Sequence, residues 1–249
     1  MELEKLFKKY NIKIIDNKRC YEIDLLNKTP QVKHSVPYLF IYNDEEIKDN
    51  NWKKLELNLV RRFDSENPKS KAELLNYSYY WSKQKPFSLT KKANHEHLKD
   101  DIYINLNHES DHALMNIQFL FEIYNKSLKD CSLFIRKHFV VEPDEVKNAV
   151  TNINKSKFKE YLGKRNKSEK YIENMFKIID LINKESKGLN IAYDNFYIFD
   201  DYNYFLMYRN KVITYLKEKY FPNDSLLKAY LKAFDDLTGF YRQNKNIYD

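Results

Sequence analysis

Four of the six histidines fall within eighteen residues, as His95-Glu96-His97 and His108-Glu109-Ser110-Asp111-His112. Imidazoles gathered with carboxylates are a donor set for zinc or for a nuclease metal. His108 and His112, four residues apart, would share a helical face, and His95 and His97 with Glu96, Glu109 or Asp111 would complete the set. The spacing departs from that of known zinc sites, and a helix starting at Ser110 leaves His108 outside it, where an imidazole caps, packs or touches phosphate. The expectation is no resident cofactor, with a divalent metal as the open alternative. Asn105-x-Asn107-His108 leads from strand to helix, a junction whose backbone amides can hold an anion. Asn107 and His108 are the anion candidates there, and turn or cap hydrogen bonds from Asn107 and Ser110 are the plainer use of the same side chains. A third pattern is Glu142-Pro143-Asp144-Glu145-Val146-Lys147, with the D/E-x-K tripeptide of metal-dependent nucleases, in which carboxylates hold Mg²⁺ and Lys orients the attacking water. His108, His112, Glu145 and Lys147 are therefore the candidates for catalysis. The motif needs a second acid on a neighbouring strand, whereas Glu145 is expected to open a helix after Pro143.

Other chemistries find no footing. Three glycines in 249 residues leave no glycine-rich phosphate loop. A G-x-S-x-G elbow is absent, and Cys20 and Cys131 form neither a metal nor a redox motif. The cysteine usage points to a reducing, cytoplasmic setting. No stretch approaches the ~20 apolar residues that a bilayer span requires, so no membrane partner is expected.

The charge balance points elsewhere. The net charge is +7, of which residues 151–249 contribute +5 (18 Lys and Arg against 13 Asp and Glu). That balance favours a polyanionic partner. The excess is dense where Lys155, Lys157, Lys159, Lys164, Arg165, Lys167 and Lys170 face only Glu160 and Glu169. After this lead-in the chain runs Tyr171-Ile172-x-x-Met175-Phe176-x-Ile178-Ile179-x-Leu181-Ile182, and it closes with Leu227-x-x-Tyr230-Leu231-x-x-Phe234-x-x-Leu237-x-x-Phe240-Tyr241. Residues ~155–242 thereby resemble the SAM-like core-binding domain of phage integrases (tyrosine recombinases), which also occurs in restriction- and defence-associated proteins. The resemblance implies a four-helix clamp on the DNA backbone, with Lys157, Lys164, Arg165, Lys167 and Lys170 at the phosphates. The catalytic domain that follows this module in recombinases is not in the 249 residues, so recombination is not expected of them.

The elements that would hold these groups follow from periodicity. An amphipathic helix over Met1–Tyr10 precedes a hairpin carrying Ile12, Ile14, Ile23 and Leu25. Val36–Tyr42 suits a buried strand, with Pro37 marking an edge. Leu55, Leu59, Val60 and Phe63 share a helical face, another helix begins at Ser70, Ile102–Leu106 alternates as a strand, and Ser110 or Asp111 caps the helix that follows. Strands over Leu133–Ile135 and Phe139–Val141 end at Pro143. The fold class is α+β: residues 1–142 form a mixed α/β domain with a small, mostly antiparallel sheet, and residues 150–249 form an all-α four-helix domain. The dense Tyr197-x-Phe199-x-x-Tyr202-x-Tyr204-Phe205-x-x-Tyr208 suits either core packing or stacking on unpaired bases. Three functions follow. The first is DNA binding in a prokaryotic or phage defence or mobile-element system, serving a protein partner of a defence complex. The second is a metal-dependent nuclease of restriction type. The third is a protein-interaction module, an inhibitor.

Overall fold

A computed structural model describes residues 2–27, 32–79, 84–93, 95–106, 109–137, 142–189, 195–220 and 225–244. The fold is α+β, with antiparallel strand pairing in the amino-terminal half and helices throughout the carboxy-terminal half. The chain packs as two units, one of Met1–Arg19 with His138–Asp249 and one of Cys20–Lys137. This division differs from the segments 1–142 and 150–249 read in the sequence, because the first nineteen residues pack with the helices.

In the chain's order, α1 (Glu2–Lys9) and β1 (Ile12–Ile15) lead into β2 (Lys18–Ile23), within which the chain passes from the first unit to the second. The second unit then holds β3 (Ser35–Tyr42), β4 (Glu45–Lys48), α2 (Trp52–Glu66), α3 (Lys71–Asn76), β5 (Phe87–Ser88), β6 (His95–Lys99), β7 (Ile102–Asn105), α4 (Ser110–Ile123) and β8 (Cys131–Lys137). The strands form a five-stranded sheet in the order β1-β2-β8-β3-β4 and a three-stranded sheet in the order β5-β7-β6.

The core of the second unit forms where α2 meets α4. Leu55, Leu59, Val60 and Phe63 on α2 are buried, as are Leu114, Ile117, Leu120 and Phe121 on α4. Phe63 and Phe121 meet edge to face at 4.7 Å, and Tyr42 of β3 lies against both rings. Such geometry suits the ring quadrupoles. β3 lies between β8 and β4, but its pairing with β4 runs over Leu39–Tyr42, so at Pro37 the strand is paired with β8 on one side, as its expected edge position requires. The register breaks between Pro37 and Leu39, opposite Ile135 and Phe134. The cap of α4 differs from expectation: Glu109 stands at the N-cap without a side-chain hydrogen bond. Ser110 Oγ donates to the Ser35 carbonyl instead, and Asp111 Oδ1 accepts from Val32 N at 2.8 Å. Ser70 does cap α3, in a reciprocal box with Glu73.

The first unit is built on α5 (Asp144–Lys164), α6 (Glu169–Ser186), α7 (Tyr202–Lys219) and α8 (Ser225–Gln243). On α5 the buried positions Val146, Val150, Asn154, Phe158 and Leu162 recur every four residues, one stripe of a straight helix. Phe158 and Leu162 of this stripe join Ile172, Met175, Ile179 and Ile182 of α6 and Tyr230, Phe234, Leu237 and Tyr241 of α8 in one core. Asn154 interrupts the apolar stripe because its amide holds the carbonyls of Tyr197 and Phe199, fixing the segment before α7. Tyr197, Phe199, Phe205 and Tyr208 are all buried, so their rings are spent on packing and are closed to unpaired bases.

Of the nine described non-glycine residues with left-handed backbone, eight are Asn or Asp, at Asn11, Asp16, Asn17, Asn43, Asp44, Asp100, Asn125 and Asn166, and the ninth is His34. No described glycine adopts positive φ. Asp16-Asn17 and Asn43-Asp44 each supply two successive left-handed residues, as the tightest hairpins demand.

Candidate nucleic-acid interface

The basic lead-in sits at the α5–α6 corner, and its geometry follows from the way α5 stops. Lys167 N donates to the Leu162 carbonyl at 3.2 Å and Asn166 N to the Gly163 carbonyl at 2.9 Å. With Asn166 at φ 57° this is a Schellman end in which asparagine takes the glycine position. Ser168 then caps α6 by accepting from Tyr171 N at 3.3 Å. The turn takes four residues, Arg165 to Ser168, and three cations flank or occupy it.

Two tyrosines organise those cations. Tyr161 accepts a hydrogen bond from Arg165 NH1 at 2.7 Å, and the guanidinium also lies over its ring, 5.5 Å from the centroid. Tyr171, at the start of α6, donates its hydroxyl to Asp236 of α8. Lys167 and Lys232 both lie over the Tyr171 ring, at 4.9 and 5.3 Å. Burial first, then the hydrogen bond to Asp236, pushes the Tyr171 hydroxyl pKa well up, so it stays a donor. Each aromatic face fixes a cation that would otherwise sweep a wide volume. Arg165, Lys167 and Lys232 are thereby gathered at one end of the helical unit, with Lys164 and Lys170 exposed beside them.

The remaining candidates fall as follows. Lys164 pairs with Glu160 at 2.7 Å, and that hydrogen bond holds the Glu160 carboxyl below its usual range. Both partners are exposed, so the pair is weak and open to exchange with a phosphate. Lys157, half-buried, lies nearly two turns back on α5. Lys232 escaped the sequence reading because it is 62 residues beyond Lys170; only the packing of α8 on α6 brings it in.

The other clusters disperse. His95 and His97 lie on β6, ahead of β7: His95 Nδ1 is 3.0 Å from Ser88 Oγ, and His97 Nε2 is 2.7 Å from the Asp100 carbonyl. His112 is exposed on α4. Asn107 and His108 lie outside the described residues. Among the described residues no group of three or more His, Cys, Asp or Glu could hold a metal ion. Glu145 does begin α5, and both its oxygens accept from Lys9 Nζ, at 3.0 and 2.8 Å. Lys147 pairs with Asp144 one turn back. Glu142, the remaining acid of that motif, is buried against Arg19: Arg19 Nε and NH2 donate to its two oxygens at 3.0 and 3.2 Å. Asp200 Oδ2 accepts from the Arg19 backbone N at 2.9 Å and lies 3.4 Å from NH1. This buried cluster spans 181 residues of sequence and left no local signal. Cys131 donates to the Ser127 carbonyl, and burial pushes its thiol up to about 11, far from a nucleophile's range.

No helix among the described residues is long and apolar enough to cross a membrane. No family model matches the chain, and neither does any curated protein or any solved structure.

Proposed function

We propose that the protein binds DNA along the phosphate backbone through the α5–α6 corner, with Arg165, Lys167 and Lys232 at the centre and Lys164, Lys170 and Lys157 at the margins. The observation that carries this reading is the convergence of three cations from two separated segments around Tyr171. A fork-shaped guanidinium and two lysine point charges suit phosphate oxygens. The amino-terminal amides of α6 add a partial positive charge at the same corner. Direct readout of bases is not part of the reading, since the residues at hand are backbone contacts that position rather than specify. The defence or mobile-element setting and its protein partner rest on the resemblance alone and add no residue to this interface. A divalent metal has no described donor set to support it.

The test is fluorescence anisotropy with labelled duplex and single-stranded DNA at ~50 and ~200 mM salt, where several phosphate contacts lose orders of magnitude in affinity. Replacing Arg165, Lys167 and Lys232 together by Ala should flatten the logarithmic salt slope by about 3, close to one unit per contact. A wild-type protein that binds neither DNA, or a triple variant with unchanged slope, overturns the proposal.

A further inference from the structure

The second unit contains a cavity of about 630 Å³ lined by Leu75, Gln84, Lys85, Phe87, Ser88, Lys92, Ala93, His95 and Asn105. Its size falls within the range of small-molecule sites. Among the described lining residues none is acidic, two are lysines and one is a histidine, a balance that favours an anion. We propose that this cavity binds a phosphorylated small molecule of about nucleotide size, with Lys85, Lys92 and His95 holding its phosphate. The site is separate from the α5–α6 corner and stands independently of the DNA reading.

The placement of each group supports that assignment. Lys85 Nζ is anchored by donating to the Leu75 carbonyl at 2.7 Å, which spends one of its three N–H bonds and steadies the other two at the cavity wall. His95 is held from β6 by Ser88 of β5, whose Oγ lies 3.0 Å from Nδ1, and by a hydrogen bond with the Thr90 backbone. Ser88 Oγ is fixed in turn by the Thr90 carbonyl at 2.9 Å. Lys92 stands close enough to the imidazole that, after burial, its charge is a cause of the lowered His95 pKa. The Lys92 charge beside a partly buried imidazole favours a counter-charge. Phosphate suits lysines, which bind it as point charges, and its higher charge makes fuller use of two ammonium groups than a carboxylate does. Leu75, Phe87 and Ala93 supply an apolar wall for the rest of the molecule. An inorganic phosphate ion would leave most of the volume empty.

The experiment titrates the full chain with AMP, with inorganic phosphate and with acetate, following the His95 imidazole by ¹H–¹⁵N NMR. The expected result is a saturable shift of His95 with AMP, a weaker response to phosphate and none to acetate. Lys85→Ala and Lys92→Ala should each weaken AMP binding roughly tenfold, the scale of one charge-assisted contact. Lys167→Ala/Lys232→Ala should leave it unchanged, which separates this site from the DNA interface. Circular dichroism of each variant confirms that its fold is kept. The proposal is overturned if His95 does not move at ~10 mM AMP, far weaker than functional sites bind. It also falls if the lysine variants bind as the wild type does, or if acetate shifts His95 as AMP does.

Discussion

Gly239 of α8 lies where any β-carbon would run into the hydroxyl of Tyr161 on α5. That hydroxyl is the one Arg165 holds, and Arg165 NH1 itself would be only 3.5 Å from the added atom. The missing side chain on one helix thus makes room for the tyrosine that aims a cation on another. Gly163 is different in kind, because a β-carbon there meets nothing within 4 Å.

The two glycines give opposite outcomes with alanine. Gly163→Ala should gain up to about 1 kcal/mol from helix propensity. Gly239→Ala gains the same term but must displace a buried ring packed on Phe158 and Phe240, an overpacking cost of about 1–3 kcal/mol. Urea denaturation followed by far-ultraviolet circular dichroism should rank Gly163→Ala above wild type and Gly239→Ala below it. Equal stability of the two variants would refute the contact.

Arg19 pairs with both Glu142 and Asp200 in their buried cluster, with all three side chains about 2% exposed. Arg19→Met strands two buried carboxylates and should cost about 3–5 kcal/mol. Arg19→Met combined with Glu142→Gln and Asp200→Asn removes the stranded charge and should recover much of that loss. A single variant as stable as the triple one would contradict the account, again by urea denaturation.

Glu56 is fully buried on α2, and Asn116 of α4 donates its amide to Oε2. Burial, opposed by that hydrogen bond and by Lys53, raises the Glu56 pKa well above the ordinary 4.5. The folded chain therefore keeps a proton that the unfolded chain releases near pH 4.5, and stability falls as pH rises from there through the folded pKa. Within that window the loss is about 1.4 kcal/mol per pH unit. Glu56→Gln carries no such group and should lose less between pH 5 and 8. Trp52, at the start of α2, lies in the same Cys20–Lys137 unit, so its fluorescence, isolated by Trp81→Phe, follows this unit. Parallel pH profiles for wild type and variant would exclude the assignment.

Asn166 closes α5 from the left-handed region. Asn166→Gly should be nearly neutral, while Asn166→Val should cost about 1–2 kcal/mol from the clash of a branched side chain at positive φ. The valine variant should also lose DNA affinity, because the same corner sets the separation of Arg165 and Lys167. Thermal melts beside the anisotropy titration check both effects.

Much of the scaffold was legible because it is written in spacing. Leu55, Leu59, Val60 and Phe63 announced α2, Ser70 announced the start of α3, and the four-helix half followed from its apolar stripes. What escaped was set by distant partners. The polar edge strand β4 has no apolar alternation to betray it, and the break in register between Pro37 and Leu39 left no local signal. Asp111 and Ser110 fit the pattern of helix caps, yet both are drawn to the backbone near Val32 and Ser35. In the candidate interface, Arg165 and Lys167 stood out by local charge density. Lys232, and the tyrosines that aim these cations, became visible only through packing.

The corners built from asparagine and aspartate in place of glycine change the unfolded chain as well as the folded one. A glycine at such a position would let the denatured backbone wander over both halves of the Ramachandran map, and exchanging it for a residue with a side chain removes about 0.4–1 kcal/mol of that freedom. The strain of a left-handed Asn or Asp works in the other direction, and the two nearly cancel. A chain with this composition therefore turns its corners from a stiffer denatured ensemble, at little net change in stability.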